Sequence, residues 1–141
     1  MPALLRDISN AKNDIRCALY MFRTDGNTEA TGAVLNALTE AAKRGIDVGI
    51  IFDIGNRTDL TTRYNTATAG VLSQAGTNVV LADSERRMHA KMCVIDREIS
   101  FIGSHNYTHS GLSRNSEVTV RINSPDIAAE AIEYMKDLGL K

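Results

Sequence analysis

Two spacings of apolar residues alternate along the chain. Leu4, Leu5, Ile8 and Ala11 recur at helical intervals and predict a short opening helix. "DIRCALYMF" (14–22) is a dense apolar run of strand length. After the polar "RTDGNTEATG", Val34, Leu35, Leu38, Ala41 and Ala42 form a helix face. Lys43 and Arg44 suit the C-terminal end of that dipole, and Gly45 can take the left-handed stop. "IDVGIIFD" (46–53) predicts a second buried strand. Residues 54–66 are the least patterned stretch and read mostly as a surface loop. "ATAGVLSQAG" predicts a short helix ending at Gly76, and "NVVLA" a third strand. "KMCVID" and "ISFIGS" predict a hairpin turning at Asp96-Arg97-Glu98, and "EVTVRI" (117–122) alternates cleanly. Ser124 caps a last helix with Pro125 at its first position, where a missing N–H costs nothing. Ile127, Ala131, Met135 and Leu138 give that helix an inward stripe.

Strands separated by helices imply parallel pairing with both faces covered, and the late hairpin adds an antiparallel part. The expected fold is α/β: a mixed, mostly parallel β-sheet flanked by helices on both faces, a three-layer α/β/α sandwich. At 141 residues the expectation is a single domain over 1–141.

Composition narrows the function classes. Hydrophobic content of 43% and charged content of 23% are globular values and exclude disordered and fibrous classes. A net charge of −1 excludes nucleic-acid binding by bulk electrostatics, so any phosphate contact must be local. Cys17 and Cys93 lie inside apolar runs and read as buried thiols, neither a disulfide nor a metal pair. The chain shows no signal-peptide pattern and no run approaching the ~18 apolar residues of a membrane span. The compartment stays open: cytoplasmic, or periplasmic or secreted if a leader was removed.

The chemistry concentrates in "MHAKMCVIDREISFIGSHN" (88–106). Residues i and i+2 of a strand share a face, so His89 and Lys91 point the same way. If the chain turns at 96–98, the returning strand brings Gly103, Ser104 and Asn106 back toward His89. One nucleophile and three donors for phosphoryl oxygens would then converge, and Gly103 would let backbone approach a ligand. Ile99 to Ser116 contains no acidic residue, which removes repulsion toward a phosphate. Glu117 follows, placed to accept from one nitrogen of His89 and leave the other lone pair free.

His89-x-Lys91-x4-Asp96-x6-Gly103-Ser104-x-Asn106 resembles the HxKx4Dx6GSxN signature of the phospholipase D superfamily. Six fixed residues at ~5% usage each give a chance match at a given start on the order of 10⁻⁸. "SGLSRNSE" resembles the downstream pattern at Asn115 and Glu117, and the element order fits one family half-domain. The resemblance implies a metal-independent phosphodiesterase without a cofactor. Its motif histidine, here His89, forms a phosphohistidine, a second motif histidine protonates the leaving oxygen, and Asp96 is structural. This chain holds one copy of the motif. Nucleophile and acid must therefore come from two chains, as the resemblance to single-motif bacterial nucleases also implies: a homodimer with one composite active site.

Three readings of the substrate follow. The leading one is a sequence-nonspecific nuclease. Aromatic content of 5% with no tryptophan limits base stacking, so recognition should rest on the backbone. Arg57, Arg63, Arg86 and Arg87 would supply a nucleic-acid rim if they are more than solvated surface. The second reading is a phospholipase D or phosphatidyl transferase acting on phospholipid head groups, which would want apolar surface near the site. The third is a non-catalytic nucleic-acid-binding half of a larger assembly. His105 and His109, four apart, would share a helix face as metal ligands must, but the glycine and serines around them and the lack of a nearby carboxylate favour surface positions.

Overall fold

The computed structural model describes residues 2–24, 29–55, 59–82 and 86–141. In chain order the elements are α1 (Pro2–Asn10), β1 (Asp14–Leu19), α2 (Glu29–Lys43), β2 (Asp47–Asp53), α3 (Leu60–Gln74) and β3 (Asn78–Ala82). They continue with β4 (Lys91–Ile95), β5 (Ile99–Gly103), α4 (His109–Ser113), β6 (Thr119–Asn123) and α5 (Pro125–Asp137). The strands form one six-stranded sheet in the order β3-β2-β1-β4-β5-β6.

The sheet is mixed, but antiparallel pairing outweighs parallel. β1 pairs with β2 and β2 with β3 in parallel. β4 runs antiparallel to β1, and the hairpin and β6 continue that sense. A run of strands late in the chain announces the hairpin, yet nothing local says that β4 returns against β1.

Strand alternation sorts the core into two layers. Ile15, Cys17, Leu19, Ile50, Phe52, Cys93 and Phe101 pack with Leu4, Ile8, Val34, Leu38 and Leu72 on the face covered by α1, α2 and α3. Ala18, Ile51 and Val94 pack with Ala128, Ala131 and Met135 of α5 on the other. The three-layer expectation holds. With α5 on the second face, Val118 and Val120 beside the β6 edge stay 66% and 49% exposed.

Three local expectations are corrected. The stretch 54–66 is not mostly loop, because α3 begins at Leu60, capped by Asp59, whose side chain accepts from Thr61 N at 3.0 Å. Its buried face carries Thr61, Thr62, Asn65 and Thr68 before Ala69 and Leu72, so no apolar period marks it. The inward residues of α5 are Ala128, Ala131 and Met135, while Ile127 lies at its exposed margin. Cys17 and Cys93 form a disulfide. They face each other across β1 and β4 with Cα atoms 4.1 Å apart, a register that no sequence spacing discloses.

The hairpin turn explains Asp96. Asp96 and Arg97 both take the left-handed conformation, at φ 54° and 56°, which is costly outside glycine. The Asp96 carboxylate offsets that cost by accepting the backbone N–H groups of Lys12, Asn13 and Asp14 at 2.7–3.2 Å. Arg97 Nε donates to Asp14 Oδ2 at 2.7 Å. Asp96 thus ties the α1–β1 turn to the hairpin. Seven residues of near-extended chain put it roughly 20 Å from His89.

Candidate active site

The C-terminal ends of β1 and β2 and the start of β4 meet at one end of the strands, and His89 stands there. The Tyr20 N–H donates to Ala90 O at 2.8 Å, extending the β1–β4 ladder by one residue. That register lays the Tyr20 ring against His89, with centroids 4.3 Å apart. Lys91 Nζ sits 4.9 Å from the Tyr20 centroid and Arg87 lies 5.7 Å from it. His89 and Lys91 do share a face. Lys91 Nζ is 2.9 Å from Nδ1 and 3.1 Å from Nε2 and donates to the His89 carbonyl at 2.8 Å. A neutral imidazole has one nitrogen lone pair, so only one of the two ring contacts is a hydrogen bond.

Burial, then the positive charges of Lys91 and Arg87, push the His89 value below the ordinary 6.5, with Asp53 opposing. The free imidazole is therefore the favoured form near neutral pH. Burial also lowers the Lys91 value, against the pull of Glu117.

A buried latch holds this corner. Asn65 of α3 accepts from Phe22 N at 2.9 Å and donates to Tyr20 O and Asp53 O, both at 2.8 Å. Asp53 Oδ1 accepts from Met88 N at 2.7 Å, fixing the backbone just ahead of His89. Tyr20, Asp53 and Asn65 escaped the sequence reading. The only signal was their polarity at the ends of apolar runs, and Asn65 lay in a stretch read as loop.

The second half of the motif is arranged differently from expectation. Gly103 does not make room for a ligand: a Cβ there would fall 2.2 Å from Val118 O and 2.5 Å from Thr119 Cα. Its hydrogen lets β6 close on β5. The Ser104 hydroxyl donates to Glu117 Oε2 and accepts from Val118 N at 3.1 Å. Asn115 Nδ2 donates to Glu117 Oε1 at 3.1 Å. These bonds, with lesser help from His105 and Lys91, hold the Glu117 value below the usual carboxylate range. Among the described residues no hydrogen bond joins Glu117 to His89, nor Ser104 or Asn106 to His89 or Lys91. Among the described residues Asn106 Oδ1 is buried without a hydrogen-bond partner, an arrangement that costs about 1–3 kcal/mol.

Around this centre, Arg87 pairs with Asp59 at 3.9 Å, and Arg63 follows one turn into α3. Arg86 is exposed, and Arg57 lies outside the described residues. His105 Nδ1 contacts Thr119 Oγ1 at 2.7 Å while His109 opens α4, so the two do not share a helix face. The described residues contain no cluster of three or more metal-ligating side chains. No described helix is long and apolar enough to cross a membrane.

The family model described as "Cardiolipin synthase, PLD-like domain" matches residues 4–138, so the chain belongs to that family, within the phospholipase D superfamily. Among solved structures, Nuc from Salmonella typhimurium, a phospholipase D family member, matches with a TM-score of 0.81 and 28% identity, over 96% of this chain and 84% of its own. NucT from Helicobacter pylori shares the fold at a TM-score of 0.75 and 24% identity, over 97% and 85% of the two chains. Cardiolipin synthase A of Proteus mirabilis is 29% identical over 96% of this chain and 30% of its own length, and that of Cronobacter sakazakii 26% over 97% and 31%. The chain thus spans about a third of the curated relatives it matches.

Proposed function

We propose that the protein is a metal-independent nuclease whose His89 attacks the phosphorus of a nucleic-acid phosphodiester. The supporting observation is the state of His89: an imidazole disfavoured from protonation, held between Tyr20 and Lys91, with Arg87 at its margin. Attack forms the N–P bond as the P–O bond to the leaving strand breaks, and the leaving oxygen takes a proton. Water then cleaves the N–P bond and regenerates the imidazole. Lys91 and Asn106 serve as donors to the phosphoryl oxygens. Ser104 joins them only by exchanging its bond to Glu117.

A single chain supplies one motif histidine, so the acid that protonates the leaving group is His89 of a second subunit. The exposed valines beside Glu117 offer apolar surface for such pairing. Glu117 does not bond His89 within the chain, and in a dimer its carboxylate is available to the imidazole of the partner.

The names of the curated relatives favour a second reading, phosphatidyl transfer to form cardiolipin. One assay separates the two. Wild type and His89→Ala are incubated in EDTA with plasmid DNA and with vesicles of phosphatidylcholine or phosphatidylglycerol. The nuclease reading expects plasmid nicking that the substitution abolishes. Phospholipid turnover faster than DNA cleavage reverses the ranking, and binding of DNA without cleavage supports a non-catalytic module.

A further inference from the structure

A cavity of about 150 Å³ lies beside Lys91 on the α1 side of the sheet. Ala3, Leu4, Phe101 and Tyr107 form its apolar walls, and Lys91, His105, Thr119 and Arg121 its polar rim. Lys91 belongs to this cavity and to the His89 centre alike, so an occupant sits next to the phosphate under attack.

Three properties select that occupant. The first is size: a cavity of about 150 Å³ admits benzene, so one six-membered ring fits and a fused bicycle does not. The second is the walls. Aliphatic and aromatic surface suits a planar ring, whereas a polyol such as glycerol would leave hydroxyls unpaired there. The third is charge. No carboxylate lines the cavity, and the rim presents donors. Asp7 engages Arg121 through Nε at 2.6 Å, and the terminal guanidinium nitrogens make no hydrogen bond among the described residues. The Tyr107 hydroxyl has a disulfide sulfur, Cys93 Sγ at 3.6 Å, as its partner, a weak acceptor that a carbonyl oxygen would outcompete. The matching edge therefore carries carbonyl acceptors and no cation.

We infer that this cavity is a base pocket taking a pyrimidine, thymine or uracil, from the nucleotide adjoining the scissile phosphate. The inference rests on the nuclease reading and adds base discrimination to backbone recognition. Stacking worth ~1–3 kcal/mol per base corresponds to roughly 5- to 150-fold in rate.

The test uses single-stranded oligonucleotides with one cleavable phosphodiester, flanked on either side by thymidine, deoxyadenosine or an abasic analogue. Wild type should cut beside thymidine at least ~5-fold faster than beside the other two. Ala3→Leu, which fills the cavity from α1, should bring that ratio toward one. Thr119→Val, which removes a rim hydroxyl at nearly constant volume, should reduce it, with thermal melting confirming that both variants fold. Equal cutting of all three oligonucleotides by wild type, or a ratio unchanged in both variants, overturns the base pocket while leaving the nuclease intact. Failure to cut any of them while plasmid is nicked also overturns the pocket, and failure on both substrates removes the nuclease reading and the pocket with it.

Discussion

In the proposed mechanism His89 carries the chemistry, in an environment that disfavours its charged form. The attacking imidazole must be neutral, and burial with two nearby cations holds its value below 6.5. The acid limb of kcat/KM, set by the attacking His89, should therefore lie below 6.5, while the His89 that acts as acid must hold a proton and sets the basic limb. An acid limb of kcat/KM centred at or above 6.5 would contradict this. His89→Ala should reduce turnover by roughly 10³-fold or more without lowering the melting temperature. Gly103 is the opposite kind of residue, needed for packing. The Gly103→Ala methyl would collide with the β6 backbone, so unfolding by denaturant should show a loss of about 1–3 kcal/mol. A variant as stable as wild type would show that β6 can move aside. The motif was legible residue by residue because its spacing survives in one dimension. The Gly103 role was not, because the strand it accommodates begins 16 residues later in the chain.

At the scale of elements, the site depends on how three strand ends are fastened. Asn65→Ala would leave Phe22 N, Tyr20 O and Asp53 O without their partner in a buried corner. The expected loss is about 2–4 kcal/mol, read from the denaturant midpoint. The Cys17–Cys93 disulfide closes 76 residues. Chain entropy sets its stabilisation at about 4–5 kcal/mol, so reductant should lower the denaturation midpoint sharply. A midpoint insensitive to reductant would show that packing alone holds β1 to β4. Helices and strands with a strong apolar period, such as β2, α2 and the β4–β5 hairpin, were legible from sequence. α3 was not, because hydrogen-bonding threonines and Asn65 occupy its buried face. The disulfide was hidden for a different reason: burial in apolar runs fits a thiol and a cystine equally well, and only register distinguishes them.

For the whole molecule, the decisive quantity is how many chains build one site. If each site needs His89 from two subunits, mixing wild type with an equal amount of His89→Ala and allowing exchange should leave about a quarter of the activity, since only wild-type pairs work. Retention of half would indicate independent subunits. Gel filtration of a fully active monomer would lead to the same conclusion. The β6 edge bears on this question beyond catalysis. It ends the sheet with unpaired backbone groups, next to valines that α5 does not reach. If a second subunit covers this edge, a protomer stripped of it would present a ready template for uncontrolled strand addition. Dilution or warming should then bring turbidity before loss of helix signal, and a lysine at Val120 should delay it.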